Sequence, residues 1–320
     1  MTIKFLLSGH VDHGKSTILG HLLYQIGAVP EHEFAKAIKG PERQVWSKLL
    51  DTYEEEQQRG KTMEFSKVDF SYQETEYQMI DTPGHKQYIL QLIAALGEAT
   101  STIGCLVVSA IENEFESGFM RGGQTREDLI IMRVLGIKRL VVIVNKMDAV
   151  DWQNHRYVSV AGSIGKFAKD LKFQSIVYVP VSGYAGTNLT SVNRDICDWY
   201  DGSPLLQVIK EQHSQVIPEV GSTVLVSAAS FVGKTKFLMI PPETVITREF
   251  TCVAHVRCEC ANLEIAAILP KIVSPKNIRD LVVVKYTVSG SMSIKVGDFV
   301  LLRRDSATIG YCVVERVYPI

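Results

Sequence analysis

A strand-like run at residues 4–7 feeds directly into Gly9-His10-Val11-Asp12-His13-Gly14-Lys15-Ser16, and a helical pattern begins at once behind it. A glycine-rich loop in that setting turns a row of backbone N–H groups toward the positive end of a helix, where phosphate binds. Lys15 is placed to reach the β- and γ-phosphates and the Ser16 hydroxyl to ligate Mg²⁺. Asp12, His13, Gly14 and Thr17 complete the expected phosphate-binding set, with His10 and His13 expected to shape the loop from its surface rather than to exchange protons. In the helix, residues 15–25, Ile18, Leu19, Leu22 and Leu23 share one stripe. Short β-branched runs at 4–7, 103–108, 140–144 and 176–181 alternate with helical patterns at 125–135 and 157–171. That alternation predicts an α/β, doubly wound, mostly parallel sheet.

Asn145-Lys146-Met147-Asp148 follows the run at 140–144, at the carboxyl end of a strand, where ligands bind in such sheets. An Asp carboxylate there can accept from both N1–H and the 2-amino group of guanine, a pair adenine does not offer. Asn145 can serve the O6 and N7 side while bracing the phosphate loop. Asp81-Thr82-Pro83-Gly84 ends the run at 77–80. Asp81 is expected near Mg²⁺ through a water, and the Gly84 N–H at the γ-phosphate. An Asp and a Gly at this spacing arise by chance about once per chain, so only their place between the other two motifs gives them weight. The three together predict a site for GTP or GDP with Mg²⁺, in an enzyme that hydrolyses GTP.

At 320 residues, with 46% apolar and 22% charged, the chain is long enough for two cores. Its apolar runs fall well short of the ~20 residues that span a bilayer, its first residues lack a signal-peptide pattern, and a cytoplasmic protein with no membrane partner is expected. A net charge of −1 argues against coating by nucleic acid, and no DNA partner is expected. The six cysteines include no CxxC pair and read as reduced thiols. Behind residue 211 the texture changes to short β-rich runs separated by turn signals at Ser289-Gly290, Val296-Gly297-Asp298 and Asp305-Ser306-Ala307. A small antiparallel β-barrel or sandwich is expected there.

The runs from His10 to Thr17, Arg59-Gly60-Lys61-Thr62, Asp81-Thr82-Pro83-Gly84-His85, Gly122-Gly123-Gln124-Thr125-Arg126-Glu127 and Asn145-Lys146-Met147-Asp148 resemble elongation factor 1-alpha and its relatives. Those relatives include eukaryotic release factor 3 and the rescue GTPase that partners Pelota. Pro180-Val181-Ser182-Gly183-Tyr184 resembles their last guanine-contacting loop. The resemblance covers residues 3 to about 208 and implies that Ser182, Gly183 and Tyr184 join Asn145, Lys146 and Asp148 around the base. It implies that Thr62 completes the Mg²⁺ shell with Ser16 and water-linked Asp81. It further implies that His85 orients the attacking water once a ribosome places it.

The resemblance divides the chain into a GTP-binding domain at 1–208, a linker or vestigial barrel at 209–247, and a barrel at 248–320 like the family's third domain. The partners it implies are the ribosome and either tRNA or a tRNA-shaped protein factor. Lys61 stands where elongation factors carry an apolar residue beside the catalytic His, and the elongation, release and rescue branches stay open. A GTP-bound scaffold on the ribosome that does not hydrolyse is the alternative.

Overall fold

A computed structural model of the chain describes residues 2–39, 44–58, 67–81, 102–120, 123–215, 226–237, 246–256, 259–269, 273, 281–304 and 307–319. Two compact units divide it, one formed by Met1–Leu129 with Ile137–Val216, the other by Ile130–Gly136 with Ile217–Ile320.

The first unit is built on a six-stranded sheet of order β2-β3-β1-β4-β5-β6. Its strands are β1 (Thr2–Gly9), β2 (Lys67–Tyr72), β3 (Thr75–Asp81), β4 (Ile103–Ser109), β5 (Arg139–Asn145) and β6 (Ser175–Pro180). All neighbours run parallel except β2, which is antiparallel to β3 at the edge. Every residue of β4 is buried, as the unbroken apolar run Ile-Gly-Cys-Leu-Val-Val demands of a strand covered on both faces. Strand β1 pairs with β3 on one side and β4 on the other, so chain direction across the sheet reverses at β1. That reversal opens a crevice at the carboxyl edge, beyond the ends of β1, β3, β5 and β6.

Around the sheet the described helices are α1 (Lys15–Gln25), α2 (Glu31–Ala37), α3 (Val45–Gln58), α4 (Glu112–Phe119), α5 (Gln124–Val134), α6 (Asn154–Asp170) and α7 (Leu205–Ser214). The predicted stripe of α1 is buried, with Ile18, Leu19, Leu22 and Leu23 each at most 2% exposed. Helix α1 approaches α3 at Gly20, where any Cβ would overlap the Trp46 carbonyl oxygen. The close crossing explains a glycine in the middle of a helix, which by propensity alone costs about 1 kcal/mol against alanine.

The second unit holds a closed antiparallel barrel of order β10-β7-β12-β11-β8-β9, with β9 paired back to β10. Its strands are β7 (Val226–Phe237), β8 (Thr251–Val256), β9 (Glu259–Leu269), β10 (Val282–Ile294), β11 (Phe299–Arg304) and β12 (Ala307–Pro319). Phe231 and Tyr286 fill the interior, and the Tyr286 hydroxyl lies 2.8 Å from Thr235 Oγ1, which gives the buried phenol a partner. The α/β sheet followed by a small antiparallel barrel is the predicted fold class.

Two local expectations meet a different arrangement. Ser289-Gly290 does not end a strand; β10 runs through it, the register shifts between Thr287 and Met292, and Gly290 takes φ +93°. A glycine with positive φ lets a strand bulge without stopping. Strand β7 falls within 209–247, the stretch expected as a linker or vestigial barrel, and pairs with β10 between Val226 and Thr235 and with β12 between Ala228 and Phe237. Its inward positions Gly233 and Thr235 are small or polar, so the apolar alternation that marks a strand is muted.

Candidate nucleotide site

The loop after β1 is shaped by two residues in the left-handed region, Asp12 at φ 66° and Gly14 at φ 89°. A Cβ on Gly14 would overlap the Asn145 amide nitrogen, so this position needs glycine for conformation and for space. Helix α1 starts there with no side-chain cap and no acidic residue in its first turn. Its leading N–H groups therefore lack the intrahelical partners that an anion can replace. Lys15 arches back over the loop, its ammonium donating to Gly9 O at 2.6 Å and His10 O at 3.1 Å. Ser16 and Thr17 sit half-buried in the first turn.

Asn145 joins two motifs that lie far apart in the chain. Its amide nitrogen donates to His13 O at 2.8 Å, and its Oδ1 accepts from the Gly183 N–H at 2.8 Å. The bracing role expected of Asn145 is thus present, and it extends to the loop expected to support the base. In that loop Ser182 is buried and its hydroxyl accepts from Ala185 N–H at 3.0 Å. Ser182 and Thr187 exchange backbone hydrogen bonds of 3.2 and 3.1 Å. Gly183 has no room for a side chain, since a Cβ would lie 2.7 Å from Ile18 Cγ1. Tyr184 is 46% exposed. Asp148 is the second residue of a short 3-10 turn, Met147–Val150, and remains exposed, which leaves its carboxylate available to a ligand. Lys146 pairs with Glu114 of α4 at 2.7 Å.

His13 differs from its expected surface position: it is 1% exposed. Its Nδ1 lies 3.2 Å from Val107 O and its Nε2 3.4 Å from Glu114 O. Burial lowers its pKa against the pull of those two carbonyls, and the residue's contribution to the loop is the backbone carbonyl held by Asn145. The expected ligands Thr62, Gly84 and His85, together with Lys61, lie outside the described residues; Asp81 ends β3, its side chain outside that set.

Four participants carried no sequence signal. Glu114 is the partner of Lys146. His21 and Trp46 bond the carbonyl groups of Gly183 and Tyr184. Asp128, on α5, interacts with Lys15 and Ser8, and its Oδ2 is buried with no hydrogen-bond partner among the described residues. Burial pushes the Asp128 carboxyl up to about 7, against the pull of Lys15. A carboxyl that keeps its proton in the folded state but loses it near 3.8 when unfolded weakens the fold as pH rises between those values. Asp128→Asn, permanently neutral, is therefore expected to match the parent near pH 4 and to exceed it in urea midpoint at pH 8. A difference that stays constant across pH would rule out the raised carboxyl.

Residues 1–235 match the family model described as Elongation factor Tu GTP binding domain. The chain is 38% identical over 217 residues to the eukaryotic peptide chain release factor GTP-binding subunit of Candida albicans, covering 65% of this chain and 30% of that protein. It is 40% identical over 217 residues to elongation factor 1-alpha of Hyperthermus butylicus, covering 65% and 48%. The chain thus spans 30% and 48% of the length of these two curated relatives. Among solved structures, the S. cerevisiae Ski7 GTPase-like domain, bound to GTP, shares the fold with a TM-score of 0.66 at 13% identity, covering 98% of this chain and 97% of that one. With a glycine-rich loop ahead of α1 and the loop after β6 tied together by one asparagine, and a family match over well more than half its residues, the chain belongs to the elongation factor Tu GTP-binding domain family.

Proposed function

We infer that this chain binds GTP with Mg²⁺, hydrolyses it to GDP and phosphate, and acts as a translation factor on the ribosome in the cytoplasm, closest to the release and rescue branch. The observation that carries the reading is the Asn145 bridge, which supports a phosphate-binding loop and a base-binding loop as one site at the topological switch point of the sheet. The uncapped start of α1 and Lys15 suit a triphosphate, and Asp148 suits the N1–H and 2-amino edge of guanine. Ser16 fits a Mg²⁺ ligand by its place in the first turn beside the lysine; Thr62 and, through water, Asp81 are assigned to the same ion, which supplies charge neutralisation at the phosphates.

Hydrolysis is in-line attack of a water oxygen on the γ-phosphorus, with the bond to the β-phosphate oxygen breaking and GDP leaving. Little covalent work falls to the protein in such a reaction, so positioning dominates. The Gly84 N–H is assigned to the γ-phosphate and His85 to the water. The ribosome, with tRNA or a tRNA-shaped protein factor, is the partner expected to complete that placement. Lys61 beside Thr62 favours the second reading, a scaffold that holds GTP without turnover, because elongation factors carry an apolar residue at that position.

The test is GTP hydrolysis by the whole chain with and without ribosomes, beside His85→Ala. Ribosomes are expected to stimulate the native chain by on the order of 10³-fold or more, and the variant to lose that stimulation. Tight GTP binding with no stimulation at any ribosome concentration would establish the scaffold instead.

A further inference from the structure

Glu114 of α4 belongs to neither the phosphate-loop motif nor the guanine motif, yet both meet at it. Its carboxylate pairs with the Lys146 ammonium at 2.7 Å, each side chain being at most 35% exposed, and it also accepts from the Ser109 hydroxyl. Its backbone carbonyl lies 3.4 Å from Nε2 of His13, on the phosphate loop. Burial alone would raise the Glu114 carboxyl, but the bonds from Lys146 and Ser109 bring it below its ordinary value, so the charged form is the one held. Ser109, at the end of β4, is buried, and its oxygen accepts from the Ile111 N–H at 3.1 Å, which fixes the turn into α4. Helix α4 is fastened in turn by Arg156 of α6. The Arg156 Nε donates to Ala110 O at 2.6 Å, and its two terminal nitrogens donate to the Glu116 carboxylate at 3.1 and 3.3 Å.

Lys146 reaches Glu114 from a strained backbone. Its φ of 63° and ψ of 34° lie in the left-handed region, where a residue with a Cβ persists only when its surroundings hold it. The next residue is held by the main chain, the Met147 N–H donating to Val181 O at 3.2 Å. The Glu114 pair holds the lysine side chain itself. An ammonium so paired has little net charge to offer a ligand, and what it presents is a methylene stem with its end fixed. The pairing also cancels a negative charge beside a loop that has to receive phosphates.

We propose that Glu114 is a positioning residue for the nucleotide: it fixes the Lys146 side chain where that lysine serves the base, and Lys146 in return cancels a carboxylate that would repel the phosphates. The inference rests on the guanine reading given above. The two residues then act as one unit, and the effect of changing either depends on the other. With Lys146 present, loss of the Glu114 charge frees the lysine stem and loosens the site. With the ammonium gone, the same loss removes an unpaired carboxylate next to the phosphate loop and does no further harm.

A double-mutant cycle on the full chain, read by equilibrium binding of GDP with Mg²⁺, tests this. Its members are Lys146→Met, which keeps an apolar stem and removes the ammonium, Glu114→Gln, which keeps the shape and an acceptor, and the two together. Lys146→Met is expected to weaken GDP binding about tenfold and Glu114→Gln about fourfold, the second being the effect of discharging one partner of a partly exposed pair. The double variant is expected to bind within about twofold of Lys146→Met alone, or more tightly. Glu116→Gln is the control on the same helix; it discharges the contact with Arg156 and is expected to stay within about twofold of the parent. Effects that multiply in the double variant, or a Glu114→Gln variant that binds like the parent, would overturn the proposal. So would a Glu116→Gln variant as weak as Glu114→Gln, because it marks a general loosening of α4. A parent chain that binds GDP no better than ADP would overturn the guanine reading itself, and the pair's role with it.

Discussion

Asp148→Asn is expected to weaken GDP binding by about several hundred-fold and to transfer preference to xanthosine diphosphate. Asp148 is exposed in the first half of a short turn beyond β5, and its carboxylate can accept two hydrogen bonds from one edge of guanine. Hydrogen bonds to a charged group contribute about 1.5–3 kcal/mol each, and their loss together amounts to roughly 3–4 kcal/mol after partial compensation. Xanthine carries an oxygen where guanine carries the 2-amino group. The asparagine amide can donate to that oxygen while its own carbonyl accepts from N1–H, which restores a matched pair. Competition binding with both diphosphates checks the exchange. Equal weakening toward both would mean that Asp148 supports the turn and does not touch the base.

Asn145→Ala is expected to have the second large effect, on stability and on affinity at once. Asn145 is 2% exposed and ties the His13 carbonyl to the Gly183 N–H. Alanine leaves both groups buried without partners, at a cost of about 2–4 kcal/mol. Because the same side chain aligns two loops, GDP affinity should fall by about a hundredfold or more beyond any loss of folded protein. Asn145→Asp makes the argument sharper. It keeps an acceptor for Gly183 and sets a second oxygen against the His13 carbonyl, so it should be at least as damaging as alanine despite its near-identical shape. Urea unfolding with and without GDP separates the two effects, and an aspartate variant near the parent in both would contradict the bridge.

How far these features were legible in the sequence follows from how local each one is. The glycine-rich loop and the helix behind it are contiguous, and all four residues of the predicted stripe of α1 are buried, with Gly20 and His21 joining them. Asn145 was readable because its motif follows a strongly apolar strand. The bonds from Trp46 and His21 to the loop after β6 were not readable, since Trp46 and Tyr184 lie 138 positions apart and His21 passes as an ordinary member of an amphipathic helix. The burial of His13 was missed for a similar reason. A polar residue in a phosphate loop reads as solvent-facing, and the pocket between Val107 and Glu114 that receives it is made by segments nearly a hundred positions away. The bulge at Gly290 shows the limit of turn chemistry, because glycine permits a turn and a continued strand equally well. The stretch holding β7 reads only as a linker or vestigial barrel because the inward positions of that strand include glycine and threonine, and only the closed barrel reveals which face they occupy.

The central claim is that one site, bridged by Asn145, holds a guanine nucleotide by its phosphates and its base. Equilibrium binding of GDP and ADP to the purified chain in the presence of Mg²⁺ tests it most directly. A preference for GDP of about a hundredfold or more, corresponding to roughly 3 kcal/mol of base recognition, is the predicted result. Equal affinity for the two, or no measurable binding of either at millimolar nucleotide, would contradict it.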